Sequence, residues 1–177
     1  MGLKQILKKA LRFLMTPVRK TYHKRNGGHC QVPRKEIPNR VLLGLARDMI
    51  REGHSATIAV KGYSMRPFLE HERDCVVLEP ANELKVGDAV LAEIEPDHYV
   101  LHRIIKIEGD SLTLMGDGNV KGTESCERKD VAGIVTHYIR PKRTIPASDP
   151  ALQRRIRLWR QLLPIRRYLL IIYKAIV

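Results

Sequence analysis

The sequence predicts a mainly β fold: an antiparallel, partly closed barrel-like sheet with flanking basic amphipathic helices. Three observations lead there. Six short β-branched or aliphatic segments, 56–61, 74–79, 88–95, 98–107, 110–115 and 131–139, are each bounded by Gly, Pro, Asp or Glu. No helix-length segment separates them, whereas parallel strands need such crossovers. Charge is segregated along the chain: net +10 over residues 1–54, −6 over 55–139 and +9 over 140–177. An acidic middle is bracketed by two basic ends.

Each element has a local reason. Leu3, Ile6, Leu7, Ala10, Leu11 and Leu14 recur at helical spacing, with Lys4, Lys8, Lys9 and Arg12 between them. This predicts a short basic amphipathic helix ending near Pro17. Residues 19–38, with Gly27-Gly28, Pro33 and Pro38, read as a linker, so 1–38 forms one unit. Asn39 is a suitable N-cap for a helix over 40–52, with Val41, Leu42, Leu45, Ala46 and Met49 inward and Gly53 as its stop. That helix leads a domain over 39–140. Glu95-Pro96-Asp97 and Gly109-Asp110 are turn signals, so 88–115 reads as a meander of hairpins. Residues 141–150 read as a polar connector. The remainder of 141–177 is a basic helix in which Leu152, Ile156, Trp159 and Leu163 mark the apolar face and Pro164 forces a break.

Composition narrows the function classes. The net charge of +13 suits a nucleic-acid binder, but aromatics are 5% of the chain and no reader motif is visible. No nucleic-acid partner is therefore expected. Cys30, Cys75 and Cys126 are an odd, widely spaced set without C-x-x-C. The set argues against a disulfide framework and a zinc site, and no metal or cofactor is expected. Arg12 interrupts the N-terminal apolar stretch before a secretory signal could form. No apolar run approaches the roughly eighteen residues that mark a transmembrane helix.

Three residues carry candidate chemistry. Ser64 follows strand 56–61 within Gly62-Tyr63-Ser64-Met65-Arg66-Pro67. Such a turn exposes a serine and aims backbone N–H groups at a developing oxyanion, although a loop serine also caps helices. His102 shares one strand face with Val100 and Ile104. Apolar surroundings favour the neutral imidazole that a general base requires, and a satisfied core histidine would look the same. Asp117, in Gly116-Asp117-Gly118-Asn119, is either an acid that orients the imidazole or a turn aspartate. Serine, histidine and acid together form the set for an activated nucleophile.

The combination resembles the signal-peptidase and LexA-like serine peptidase superfamily, the S24/S26 group. Ser64-Met65-Arg66-Pro67 resembles its Ser-Met-x-Pro nucleophile box, and Leu84-Lys85-Val86-Gly87-Asp88-Ala89-Val90 its Gly-Asp-hydrophobic strand start. His102-Arg103-Ile104-Ile105 is similar to the His-Arg-hydrophobic box of the archaeal and endoplasmic-reticulum branch. Gly116-Asp117-Gly118-Asn119 is similar to the Gly-Asp-Asn-Asn box, and Lys129-Asp130-Val131-Ala132-Gly133 to the last strand. The boxes keep the family order over about residues 56–139. The resemblance implies a β-rich peptidase in which Ser64 attacks the scissile carbonyl. His102 would take the place of the bacterial branch's lysine. Where the animal and archaeal branch carries a further aspartate, this chain has Val120-Lys121-Gly122-Thr123-Glu124, so Asp117 is the acid on a matching box and Glu124 a more distant substitute.

The basic ends combine Lys and Arg with Leu, Ile, Trp159 and Tyr168, a composition suited to helices lying in a membrane interface. Each cation near an anionic surface adds about 1 kcal/mol. The expectation is a serine endopeptidase cleaving leader or signal-like peptides, peripheral to an anionic membrane at its cytoplasmic face. Its partners would be a peptide or protein substrate and that surface. The alternative is a non-catalytic, membrane-peripheral peptide-binding relative of the same fold.

Overall fold

A computed structural model describes residues 39–175. The N-terminal amphipathic helix read over 3–14 lies outside these residues. Helix α1 (Asn39–Arg51) precedes eight strands: β1 (Ala56–Ala59), β2 (Cys75–Glu79), β3 (Ala89–Glu95), β4 (His98–Glu108), β5 (Ser111–Met115), β6 (Glu124–Glu127), β7 (Val131–Arg140) and β8 (Arg143–Pro146). Helices α2 (Pro150–Gln161) and α3 (Arg166–Lys174) close the described chain. Every strand pairing is antiparallel. The order is β1-β2-β7-β3-β4-β5-β6, with β8 added on β7. The end strands do not pair with each other, so the sheet is mainly β as expected but not closed.

β7 ties the sheet together. Its first half pairs with β3 and its second half with β2, and its last residues turn back into β8. Register shifts at Val77/Leu78, Leu91/Ala92 and Ile104/Lys106 let the sheet coil. Both sheet faces are covered. On β3, Leu91 belongs to a large core with Met65, Phe68, Leu78, Tyr138 and Trp159, while Val90 and Ala92 belong to a smaller one with Ile104, Leu112 and Leu114. A strand buried on both sides reads as a continuous apolar run, as Ala89-Val90-Leu91-Ala92 does.

The structure adds two strands to the six read from sequence. β6 (Glu124–Glu127) is polar and short, and pairing with β5 rather than composition makes it a strand. Residues 143–146 of the expected connector form β8, whose buried Ile145 faces Tyr138 in register. Helix α1 is rotated from its expected orientation. Leu43, Ala46 and Ile50 are buried, while Val41, Leu45 and Met49 are exposed. Its sequence offers two apolar stripes, and a partner chooses between them. Gly133 on β7 leaves the space that Ile50 fills; a Cβ there would lie 2.9 Å from Ile50 Cδ1. Gly53 ends the helix at φ 89°, a conformation glycine adopts without steric cost.

The C-terminal helices depart most from expectation. Pro164 does split the helical stretch, through a 3-10 turn over Leu163–Ile165. The apolar faces, however, pack into the large core instead of facing outward as interfacial helices. Leu152, Ile156 and Trp159 of α2 are buried there, as are Leu169 and Tyr173 of α3. Asp149 caps α2 by accepting from the N–H groups of Ala151 and Leu152, both at 2.9 Å. Of the cysteines, Cys126 is a free thiol whose burial pushes it up to about 11. Cys75 is buried and disulfide-bonded, although the odd, widely spaced cysteines argued against a disulfide framework. Among the described residues, no helix is long and apolar enough to cross a membrane.

Two measurements check this packing. Trp159 is fully buried, so Trp159→Ala should cost about 3–5 kcal/mol in urea unfolding, whereas exposed Leu45→Ser should change stability by less than about 0.5 kcal/mol. Cys126 should resist thiol reagents at pH 8 until the protein is unfolded, because its thiolate is scarce below about 11.

Candidate active site

His102 and Arg103 are neighbours on β4, so their side chains leave opposite faces of the sheet. His102 lies on the side of Ile104 and the smaller core. Its imidazole is buried, and Nδ1 stands 2.8 Å from Glu124 Oε2. A carboxylate only accepts, so Nδ1 carries the hydrogen, and in the neutral imidazole the lone pair is on Nε2. Sheet register explains the pairing. Ile104 stands opposite Leu114, and Leu114 opposite Glu124. Directly opposed residues share a face, which puts Glu124 diagonally across from His102.

Asp117 occupies a different position from the one sequence reasoning gave it. It does not orient His102. Arg103 Nε donates to its two oxygens at 2.9 and 3.1 Å, and Nη2 to Oδ2 at 2.6 Å. The reason is parity. Met115 stands opposite Arg103, and Asp117, two residues on, reaches Arg103's face rather than His102's. Arg103 Nη1 also donates to the Gly87 carbonyl at 2.7 Å, and the guanidinium lies 5.5 Å from the centre of the Phe68 ring. Burial pulls this guanidinium down, but the charge of Asp117, with Tyr138, more than offsets it and Arg103 ends raised.

Ser64 is carried by the turn between β1 and β2. The peptide bond Arg66–Pro67 is cis, and Met65 and Phe68 bury their side chains beneath the loop. The turn over 116–119 lies directly against it. Gly118 N–H donates to the Ser64 carbonyl at 2.6 Å. A Cβ at Gly116 would lie 3.0 Å from Ser64 Cβ and 2.6 Å from its carbonyl oxygen, and one at Gly118 would lie 2.6 Å from the Tyr63 carbonyl. Only glycine permits this approach. The turn directly follows β5, whose Met115 pairs with Arg103, the neighbour of His102 on β4. The turn thus links the loop of Ser64 to the strand of His102.

Sequence reasoning missed the supports of this turn. Trp159 Nε1–H donates to the Asp117 carbonyl at 2.8 Å, and Arg166 Nη1 to the Asn119 carbonyl at 3.0 Å. Burial lowers Arg166 from its usual range, and Asp117 works against that. The buried Glu70, on the Ser64 loop, takes Arg66 Nη2 at 2.8 Å and the Tyr173 hydroxyl from α3. Arg103 was legible as the residue after His102 whose side chain must point into the opposite core. Trp159 and Arg166 gave no local signal, since their partners are backbone carbonyls distant in sequence. Among the described residues, no group of His, Cys, Asp and Glu is arranged to hold a metal ion.

The role of Asp117 is testable. Asp117→Ala should cost about 3–5 kcal/mol by leaving a buried guanidinium unpaired. The double substitution Arg103→Met with Asp117→Leu should lose less than Asp117→Ala alone in urea unfolding, because no uncompensated charge remains.

The comparisons with known proteins bear on this arrangement. No curated protein matches the chain, and no solved structure does. A family model described as Peptidase S24-like matches residues 25–136, a span that contains Ser64, His102, Asp117 and Glu124. The superfamily suggested by the motif boxes is the one matched, and its members are serine-type peptidases. The chain belongs to the Peptidase S24-like family.

Proposed function

We propose that this protein is a serine endopeptidase in which Ser64 is the nucleophile, His102 the general base and Glu124 the residue that positions it. The observation that carries the reading is the contact at 2.8 Å between buried His102 and half-buried Glu124. Glu124 holds the imidazole in the tautomer that leaves Nε2 free to accept a proton, and stabilises the imidazolium once formed. Ser64 Oγ attacks the scissile carbonyl carbon as its proton passes to His102 Nε2. The tetrahedral intermediate collapses, the C–N bond breaks, and the imidazolium returns the proton to the leaving amine. Water, deprotonated by the same nitrogen, then releases the acyl group from Ser64. Backbone N–H groups at the Ser64 turn serve the oxyanion. Asp117 takes no part in proton transfer and acts through Arg103 on the shape of the turn.

The substrates proposed are leader or signal-like peptides met at an anionic membrane surface. Support comes from the outer side of the C-terminal helices. Leu163, Ile165, Tyr168 and Ile171 are exposed there, and Arg157, Arg167 and Lys174 are exposed near them in the chain. Exposed apolar residues interspersed along the chain with cations suit the headgroup region. Because the inner face of these helices belongs to the core, only the outer residues would meet lipid.

Cleavage of a leader-peptide library, read by mass spectrometry, tests the mechanism. Ser64→Ala should abolish products with an unchanged unfolding midpoint. Glu124→Gln should lower kcat by about two to four orders of magnitude with little change in KM. Wild-type turnover in Ser64→Ala would remove the mechanism. For the surface, Ile165→Ser with Ile171→Ser should reduce co-sedimentation with phosphatidylglycerol vesicles; unchanged binding would refute that placement.

A further inference from the structure

The Ser64 turn is closed by a chain of polar contacts that takes no part in proton transfer. The Arg66 N–H donates to the Tyr63 carbonyl at 3.2 Å. The Arg66 guanidinium stands 4.1 Å from the centre of the Tyr63 ring. The same ring meets the His71 imidazole edge-on, with centres 5.1 Å apart, and His71 Nδ1 accepts from the Gly62 N–H at 3.1 Å. Gly62 and Tyr63 lead directly into Ser64, so Arg66 and His71 hold the approach to the nucleophile.

Arg66 takes its own position from Glu70. Nε and Nη2 both donate to Glu70 Oε2, at 3.0 and 2.8 Å. The other oxygen, Oε1, accepts from the Tyr173 hydroxyl of α3, a residue 103 positions further along the chain. Glu70 and Tyr173 are both buried, so water offers no ready substitute for that bond. Burial and then Glu70 push the Tyr173 phenol up, which keeps it a donor. Buried Met65, Phe68 and Leu69 set the depth of the loop. They do not fix the plane of the Glu70 carboxylate, because the last torsion of a glutamate is broad. Donors on both oxygens do.

We propose that Tyr173 is a positioning residue for Ser64: its hydroxyl fixes the Glu70 carboxylate, which holds Arg66 against Tyr63 and so orients the nucleophile turn. The proposal rests on the peptidase reading above. Tyr173 lies beyond residues 25–136, so the catalytic unit of this protein extends past its family domain into α3. A displacement of about 1 Å at a reacting group can cost about a hundredfold in rate, so one remote hydroxyl suffices to control the site.

Labelling of the full-length protein by a fluorophosphonate, which phosphonylates an activated serine, reads Ser64 without a peptide substrate. Tyr173→Phe removes the hydroxyl and keeps the ring. Thr136→Val is the control, since it removes a hydroxyl that donates to a different carboxylate, Glu79, at 3.0 Å. Tyr173→Phe should lower the maximal labelling rate constant by about tenfold or more. The probe concentration giving half that rate, and the final labelled fraction, should stay near wild type. Glu70→Gln should also label slowly, and the double variant should be no slower than the slower single one, as for two residues acting along one path. Thr136→Val should label as wild type does. A merely structural role would shrink the labelled fraction and leave the rate constant alone; that result, or wild-type labelling in Tyr173→Phe, overturns the proposal while the peptidase reading stands. Wild type labelling no faster than Ser64→Ala overturns the peptidase reading, and the positioning role with it.

Discussion

A guanidinium as deeply buried as that of Arg103 requires an anion, and the chain supplies one in Asp117. Much of the candidate site depends on that pairing. The same guanidinium reaches back to Gly87 at the approach to β3 and lies beside Phe68 of the Ser64 loop. Its carboxylate partner belongs to the turn whose Gly118 N–H holds the Ser64 carbonyl. One ion pair therefore sets the spacing between three segments far apart in sequence. Buried pairs add little net stability over apolar replacements, because desolvation offsets much of the attraction. Their value here is geometric, since a bidentate fork fixes the turn in one orientation.

The alternation of a strand then divides the labour between two adjacent residues. Arg103 faces the large core and holds the scaffold, while His102 faces the other side and meets Glu124. Separating structural charge from reactive base keeps the two from competing for one carboxylate. It also explains why the acids cannot be exchanged. Asp117 has the parity of Arg103, and Glu124 that of His102.

The C-terminal helices have a part in this arrangement as well. Trp159 and Arg166 clamp the 116–119 turn through its carbonyls, and Tyr173 bonds Glu70 on the Ser64 loop. Their basic residues sort by position. Arg166 is buried and structural, Arg155 is half-buried, and Arg157 and Arg167 are exposed. Net charge alone would have treated all of them as a single adhesive surface.

The sequence by itself determined the fold class, the positions of six strands, the break at Pro164, and the Ser64 and His102 boxes. Those features rest on local physics: period-two alternation, turn residues and the missing N–H of proline. The tertiary structure alone decided four others. Strand β6 exists because β5 offers it a ladder, not because Glu124-Ser125-Cys126-Glu127 favours extension. Helix α1 turns Ile50 rather than Leu45 inward because Gly133 leaves a hole of the right size. The apolar faces of α2 and α3 enter the core where Asp117 presents its carbonyl to Trp159 of α2 and Asn119 its carbonyl to Arg166 of α3. Glu124 rather than Asp117 meets His102 because cross-strand register, with a shift between Ile104 and Lys106, fixes which residues share a face. Each of these choices was between locally equivalent options, and contacts distant in sequence settled them.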